Sequence, residues 1–202
     1  DMAHASDPFF RTFHALRIKG FAKVETIAEV ADLPSVVVEE HLAGLQGREW
    51  AMFREARQLW QLTPVGREEH RIALAEDVGG VDMVRELHEP YEAFLQLNER
   101  FKSLCGAWQL RDGEPNDHSD ASYDEGVVTQ LVRLNEEVVP VVTSMGGVLG
   151  RLAPYAPRLA NTCKRVTSGE TNMFTGVMCC SYHDVWMELH EVEATEGGGV
   201  LI

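Results

Sequence analysis

The sequence predicts a mainly α chain in two parts: three to four helices with a β-hairpin, then an all-α helical bundle. Three observations carry this. Apolar residues recur at helical spacing through most of the chain. Two short β-prone runs, Trp50 to Phe53 and Leu59 to Leu62, flank a polar tip at Arg54 to Gln58. Gly79-Gly80 separates short elements from long helical patterns. The expected organisation is a first domain over 1–79, a helical domain over 80–196 and a frayed tail over 197–202.

The first helix is expected in "DPFFRTFHALRIKG". Asp7 is a candidate N-cap, Pro8 fits the first turn, Phe9, Phe10, Phe13 and Leu16 make the apolar stripe, and Gly20 stops it. "KVETIAEVADLP" gives a short second helix with Val24, Ile27, Ala28 and Val30 inward, ending before Pro34. The third, "SVVVEEHLAGL", buries Val38, Leu42 and Leu45. After the hairpin, Thr63 caps a fourth helix with Pro64 at its first position.

Beyond Gly79-Gly80, apolar spacing from Val84 to Trp108 predicts a long helix in which Pro90 makes a kink or a fresh start. A polar loop, "RDGEPNDHSD", follows. Helical patterns then cover about 120–138, 141–152, 154–167 and 171–193, punctuated by Pro140, Gly146-Gly147, Pro154 and Gly169.

Three helices, a hairpin and a further helix, in that order, resemble the winged helix-turn-helix module. The wing-closing "LTPVGR" (62–67) and the helix motif "VEEHLAGL" resemble the DNA-binding domain of MarR and related bacterial regulators over about residues 8–78. Glu49 and Trp50 stand where such proteins commonly carry a Gly and an aliphatic residue. Through "NDHSDASYD" and "SYHDVWMELHE", the second half resembles the C-terminal helical extension of actinobacterial MarR-like regulators.

The 202 residues carry a net charge of −14, with 45% apolar and 25% charged content. Residues 1–72 hold 9 Lys+Arg against 11 Asp+Glu, and residues 73–202 hold 9 against 21, so the acidity belongs to the second half. An acidic surface repels phosphate, which confines any nucleic-acid contact to a locally basic face of the first half. No run approaches the roughly 18 to 20 apolar residues of a membrane span, and no leader pattern opens the chain; the expected location is cytoplasmic, with no membrane partner. Cys105, Cys163, Cys179 and Cys180 lack metal-finger spacing and are expected as free thiols; on a helix, Cys179 and Cys180 could not both face one partner.

In a winged helix, the N-terminal end and outer face of the third helix enter the major groove. The resemblance therefore implies Ser35, Val36 and Glu39 at the bases, beside Val37, Glu40 and Ala43, with Lys23, Arg48, Arg54 and Arg57 among the phosphate-holding cations. Arg11, Arg17, Lys19, Arg67 and Arg71 complete the basic inventory. His118, between Asp117 and Asp120, invites a metal reading, whereas Asn116, Asp117, Ser119 and Asp120 read as turn and N-cap residues. A helix over "SYHDVWMELHE" lines up His183, Trp186, Met187 and His190. A pocket formed by Tyr182, His183, Trp186 and His190, facing Cys105 and Trp108, would suit a small aromatic or planar effector; the alternative is plain core with histidines at its edge.

The sequence holds no metal helix motif, nucleophile elbow or nucleotide-binding loop, and no cofactor is implied. The expectation is a homodimeric bacterial regulator of transcription that binds double-stranded DNA and senses a small molecule, its two domains moving about a Val78 to Asp82 hinge. One alternative is a winged-helix protein that does not bind DNA but sequesters a ligand or contacts a partner protein. A third is an enzyme using His183, His190 or Asp184 as acid or base.

Overall fold

The computed structural model describes residues 2–78 and 81–190. They form two compact units, one of 2–78, 81–84 and 149–151, the other of 85–148 and 152–190. The expected break at Gly79-Gly80 and the 197–202 tail lie outside the described residues. The units divide between Val84 and Arg85, within a helix, and the first unit recruits three residues from far along the chain.

The first unit runs α1 (Pro8–Lys19), β1 (Phe21–Ala22), α2 (Val24–Ala31), α3 (Ser35–Gly47), β2 (Ala51–Arg54), β3 (Leu59–Leu62) and α4 (Pro64–Val78). Asp7 caps α1 by accepting from the amides of Phe9 and Phe10, and Gly20 closes it. Asp32 ends α2 in the left-handed region, φ 52°. The core is built from the expected stripes: Phe13 and Leu16 of α1, Ile27 of α2, and Val38, Leu42 and Leu45 of α3. Each such burial contributes about 1.5–3 kcal/mol.

The hairpin forms with Met52 opposite Gln61 and Arg54 opposite Leu59. The sequence pattern missed β1, which adds to β3 and makes the sheet order β1-β3-β2. At two residues, β1 is too short to show alternation. Thr63 Oγ1 accepts from the Gly66 amide and donates to the Glu49 carbonyl, so one hydroxyl caps α4 and fastens it to the start of the hairpin. Gly66 is required there, because a Cβ would stand 1.9 Å from the Trp50 carbonyl oxygen.

Next come α5 (Val81–Gln109), β4 (Leu110–Arg111), β5 (Glu114–Pro115), α6 (Ala121–Val148), a 3₁₀ turn (Gly150–Leu152), α7 (Tyr155–Thr167), α8 (Asn172–Thr175) and α9 over 182–190. Three expectations are corrected. The "RDGEPNDHSD" loop contains a two-stranded ladder turning at Asp112 and Gly113, both at positive φ as the tightest hairpin turns demand. A single helix, α6, runs through Pro140 where two were expected. An internal proline costs about 3 kcal/mol, but Val127, Leu131, Leu134, Val138, Val142 and Met145 form one continuous buried stripe that offsets it. The pattern from 171 onward is broken at Gly176, and α9 begins anew after Ser181, whose hydroxyl accepts from the Asp184 amide. No helix among the described residues is long and apolar enough to cross a membrane.

Candidate functional site

On α3 the stripe Val38, Leu42 and Leu45 is wholly buried, which turns Ser35, Val36, Glu39, Glu40 and Ala43 to solvent. Val36 is 62% exposed on that outer face. On the inner side, His41 is fixed by Nδ1 against Thr12 Oγ1 at 2.8 Å and meets the Phe9 ring edge-on. The helix is therefore held firmly while its outer face is free to meet a partner.

The cations around it divide by what they already do. Arg11 is spent on the C-terminal end of α2, donating to the carbonyls of Ala31 and Asp32. Arg71 is paired with Glu68, which keeps its guanidinium charged and holds the Glu68 carboxyl below its ordinary range. Arg48 lies over the rings of Phe9 and Trp50, 4.8 and 5.0 Å from their centroids, which orients its charge without neutralising it. Exposed Lys23 precedes α2, while exposed Arg54 and Arg57 flank the hairpin tip. The joint leading into the hairpin has an unexpected form: Glu49 sits at φ 61°, the left-handed conformation that glycine adopts without cost. Trp50 beside it stacks on Phe13 at 5.4 Å, so the indole packs the joint against α1.

The first unit also contains a buried polar chain that sequence reasoning missed. Asp77 accepts from Arg151 Nε, from Ser6 Oγ and from His4 Nε2, and Arg151 Nη1 donates to His14 Nε2, which in turn neighbours His70. Isolated His and Ser positions on α1, α4 and the N-terminal segment carry no spacing that would have announced it.

In the helical unit, the ring contacts of the expected ligand residues fall into two aromatic clusters. Tyr182 and Trp186 are fully buried around Phe101, with ring centroids at 5.5 and 4.4 Å, and His183 stands at 6.2 Å. Their polar ends are answered by asparagines: Trp186 Nε1 donates to Asn98 Oδ1 at 2.9 Å and the Tyr182 hydroxyl to Asn135 Oδ1 at 3.2 Å. Burial drives the Tyr182 hydroxyl well above its ordinary value. Asn98, buried on a face otherwise apolar, was the legible signal for this arrangement.

Trp108 belongs to a second cluster, stacked on Phe174 at 4.8 Å and tilted against the His118 ring at 4.6 Å. His118 Nδ1 donates to Asp124, Asp117 accepts from the Ser119 amide, and Asp120 caps α6 through the Tyr123 amide. The Cys105 thiol is pushed up to about 12 by burial, which keeps it a neutral thiol near neutral pH. His190 is half-buried, and the Nδ1 of His183 is buried without a hydrogen-bond partner. A groove of about 680 Å³ opens between α5 and α6, lined by Arg100, Ser103, Ala107, Gln130 and Arg133 among others, and none of the seven expected ligand residues lines it. Among the described residues, no group of three or more His, Cys, Asp or Glu is placed to hold a metal ion.

No known protein family, curated protein or solved structure matches the chain.

Proposed function

We propose that the chain is a regulator of transcription, its first unit a winged helix that reads DNA with α3 and its second a helical module that senses a small molecule. The observation that carries this reading is α3 itself. It buries one apolar stripe, leaves Ser35, Val36 and Glu39 outward, and is followed by a hairpin whose tip carries Arg54 and Arg57. The addition of β1 to the hairpin and the cap that ties α4 to the hairpin's entry support the same reading.

A helix with this exposure fits a major groove, where Glu can accept from the cytosine amino group and Val can meet the thymine methyl. Attraction to phosphate falls to Lys23, Arg48, Arg54 and Arg57, helped by Arg67 on α4. Two copies related by symmetry double that set, so a homodimer on a two-fold operator is the expected assembly. The groove between α5 and α6 replaces the Tyr182–Trp186 cluster as the place for an effector. Arg133, Ser103 and Gln130 offer polar contacts there, while Arg100 is already held by Glu137 and Glu99 also lines the groove, so a polar small molecule suits it better than a purely aromatic one. Fluorescence anisotropy at low salt, with a duplex from the chain's own promoter region against random duplexes, tests the reading. Equal affinity for all of them would sink it.

The exposed pair Glu39 and Glu40 favours a second reading, in which α3 faces a partner protein. In that case no duplex binds at any salt concentration.

A further inference from the structure

Cys179 and Cys180 occupy a position that helical periodicity does not anticipate. On a helix, adjacent side chains diverge by about 100°. Here α8 ends at Thr175, Gly176 is extended (φ −57°, ψ 148°), and the two cysteines lie in the irregular link that precedes α9. Cys180 takes φ 56°, as does Met178, so the helical divergence does not apply. A single carboxylate oxygen, Asp184 Oδ2, accepts from both Cys179 N and Cys180 N at 3.1 Å, which fixes the backbone of the pair from the first turn of α9.

Access and charge single out these two thiols. Both are partly exposed, and the residues leading to them are open, Val177 at 75% and Met178 at 90%. Cys163 is buried and its thiol, like that of Cys105, is raised by burial. On α7, the Arg165 guanidinium lies within electrostatic reach of both sulfurs, its charge shared with the Glu170 carboxylate to which it donates.

We propose that Cys179 and Cys180 form a dithiol site for a soft trivalent arsenical, held by one bond to each sulfur. Adjacent α-carbons stand about 3.8 Å apart across a trans peptide, short of the roughly 4.4–6.8 Å that a disulfide prefers. A direct bridge between neighbours is therefore strained, and a third atom between the sulfurs enlarges the ring and relieves it. Thiolates select soft acceptors over hard ones. With a monosubstituted arsenous acid, two S–H and two As–O bonds break while two As–S bonds and two waters form. Arsenic stays trivalent, so no oxidant takes part. The site does not depend on the DNA-binding reading.

The test uses phenylarsine oxide on the full chain, reduced with a phosphine that is then removed, with intact mass for uptake and a chromogenic thiol titration for what remains. The expected result is one phenylarsenic per chain, with two reactive thiols lost for each arsenical bound, and release by a dithiol but not by a monothiol at equal concentration. Cys179→Ser and Cys180→Ser should each weaken uptake at least tenfold while keeping wild-type circular dichroism, and Cys105→Ser should retain it. Undiminished uptake in either of the first two variants, release by the monothiol, or no uptake by the wild-type chain would overturn the proposal.

Discussion

Arg151 donates from Nε to Asp77 Oδ2 across 3.1 Å, although 74 residues of chain separate them, and both side chains are under a tenth exposed. Arginine has donors only, so His14 Nε2 must accept from Arg151 Nη1 and carry its own proton on Nδ1, which then donates to His70 Nε2 at 2.9 Å. One hydrogen-bonded chain thus joins the N-terminal segment, α1, α4 and the 149–151 insertion within the first unit.

Arg151→Met should destabilise the chain by about 3–5 kcal/mol, because it leaves Asp77 buried without its cation. Urea unfolding checks this. A milder loss is expected for Ser6→Ala, which removes one neutral donor and leaves the ion pair in place.

The two histidines make the first unit acid-sensitive. Burial, with Arg17 and Arg151 nearby, lowers His70 from 6.5 to about 4, and burial with Arg151 lowers His14 well below 6.5. Between those limits the unfolded chain takes up protons that the folded chain refuses. Stability should therefore fall as pH drops from about 6.5 towards 4, by roughly 1 kcal/mol per pH unit for each histidine. Urea midpoints measured across that range should show the slope, and His70→Gln should flatten it by His70's share.

Gly66→Ala should cost at least about 1–3 kcal/mol, since the added methyl meets the Trp50 carbonyl and can be accommodated only by moving Trp50 off Phe13. Thermal unfolding reads the loss.

Trp186→Phe should cost about 1–3 kcal/mol beyond the lost ring area, because Asn98, 4% exposed, is left without the indole donor. A second substitution, Asn98→Leu, should recover part of that loss in a double-mutant cycle, since it removes the stranded amide.

Converting Glu39 and Glu40 to Gln removes two exposed charges from the outer face of α3. If that face lies in the groove, affinity for random duplex should rise severalfold, while Arg54→Gln should lower it and reduce the salt slope by about 1 for a lost phosphate contact. Anisotropy titrations at two salt concentrations separate these effects.

Local chemistry by itself determined much of the first unit. Asp7, Gly20, Thr63 and Pro64 mark helix ends through their own hydrogen-bonding and backbone preferences, and the Val38, Leu42, Leu45 spacing fixes which side of α3 is buried. Two further signals are legible in the residues themselves, though weaker than the helical patterns around them: Asp112-Gly113 as a hairpin turn and Ser181 to Asp184 as a helix start. Tertiary structure alone decided the rest. Pro140 stays inside α6 because burial summed along the whole helix outweighs one local penalty. Whether Trp186 and Tyr182 line a pocket or fill a core depended on Asn98 and Asn135, 88 and 47 residues away, reaching their polar ends. The alignment of Arg151 with Asp77 is likewise a matter of space, since no periodicity links residues so far apart in the chain.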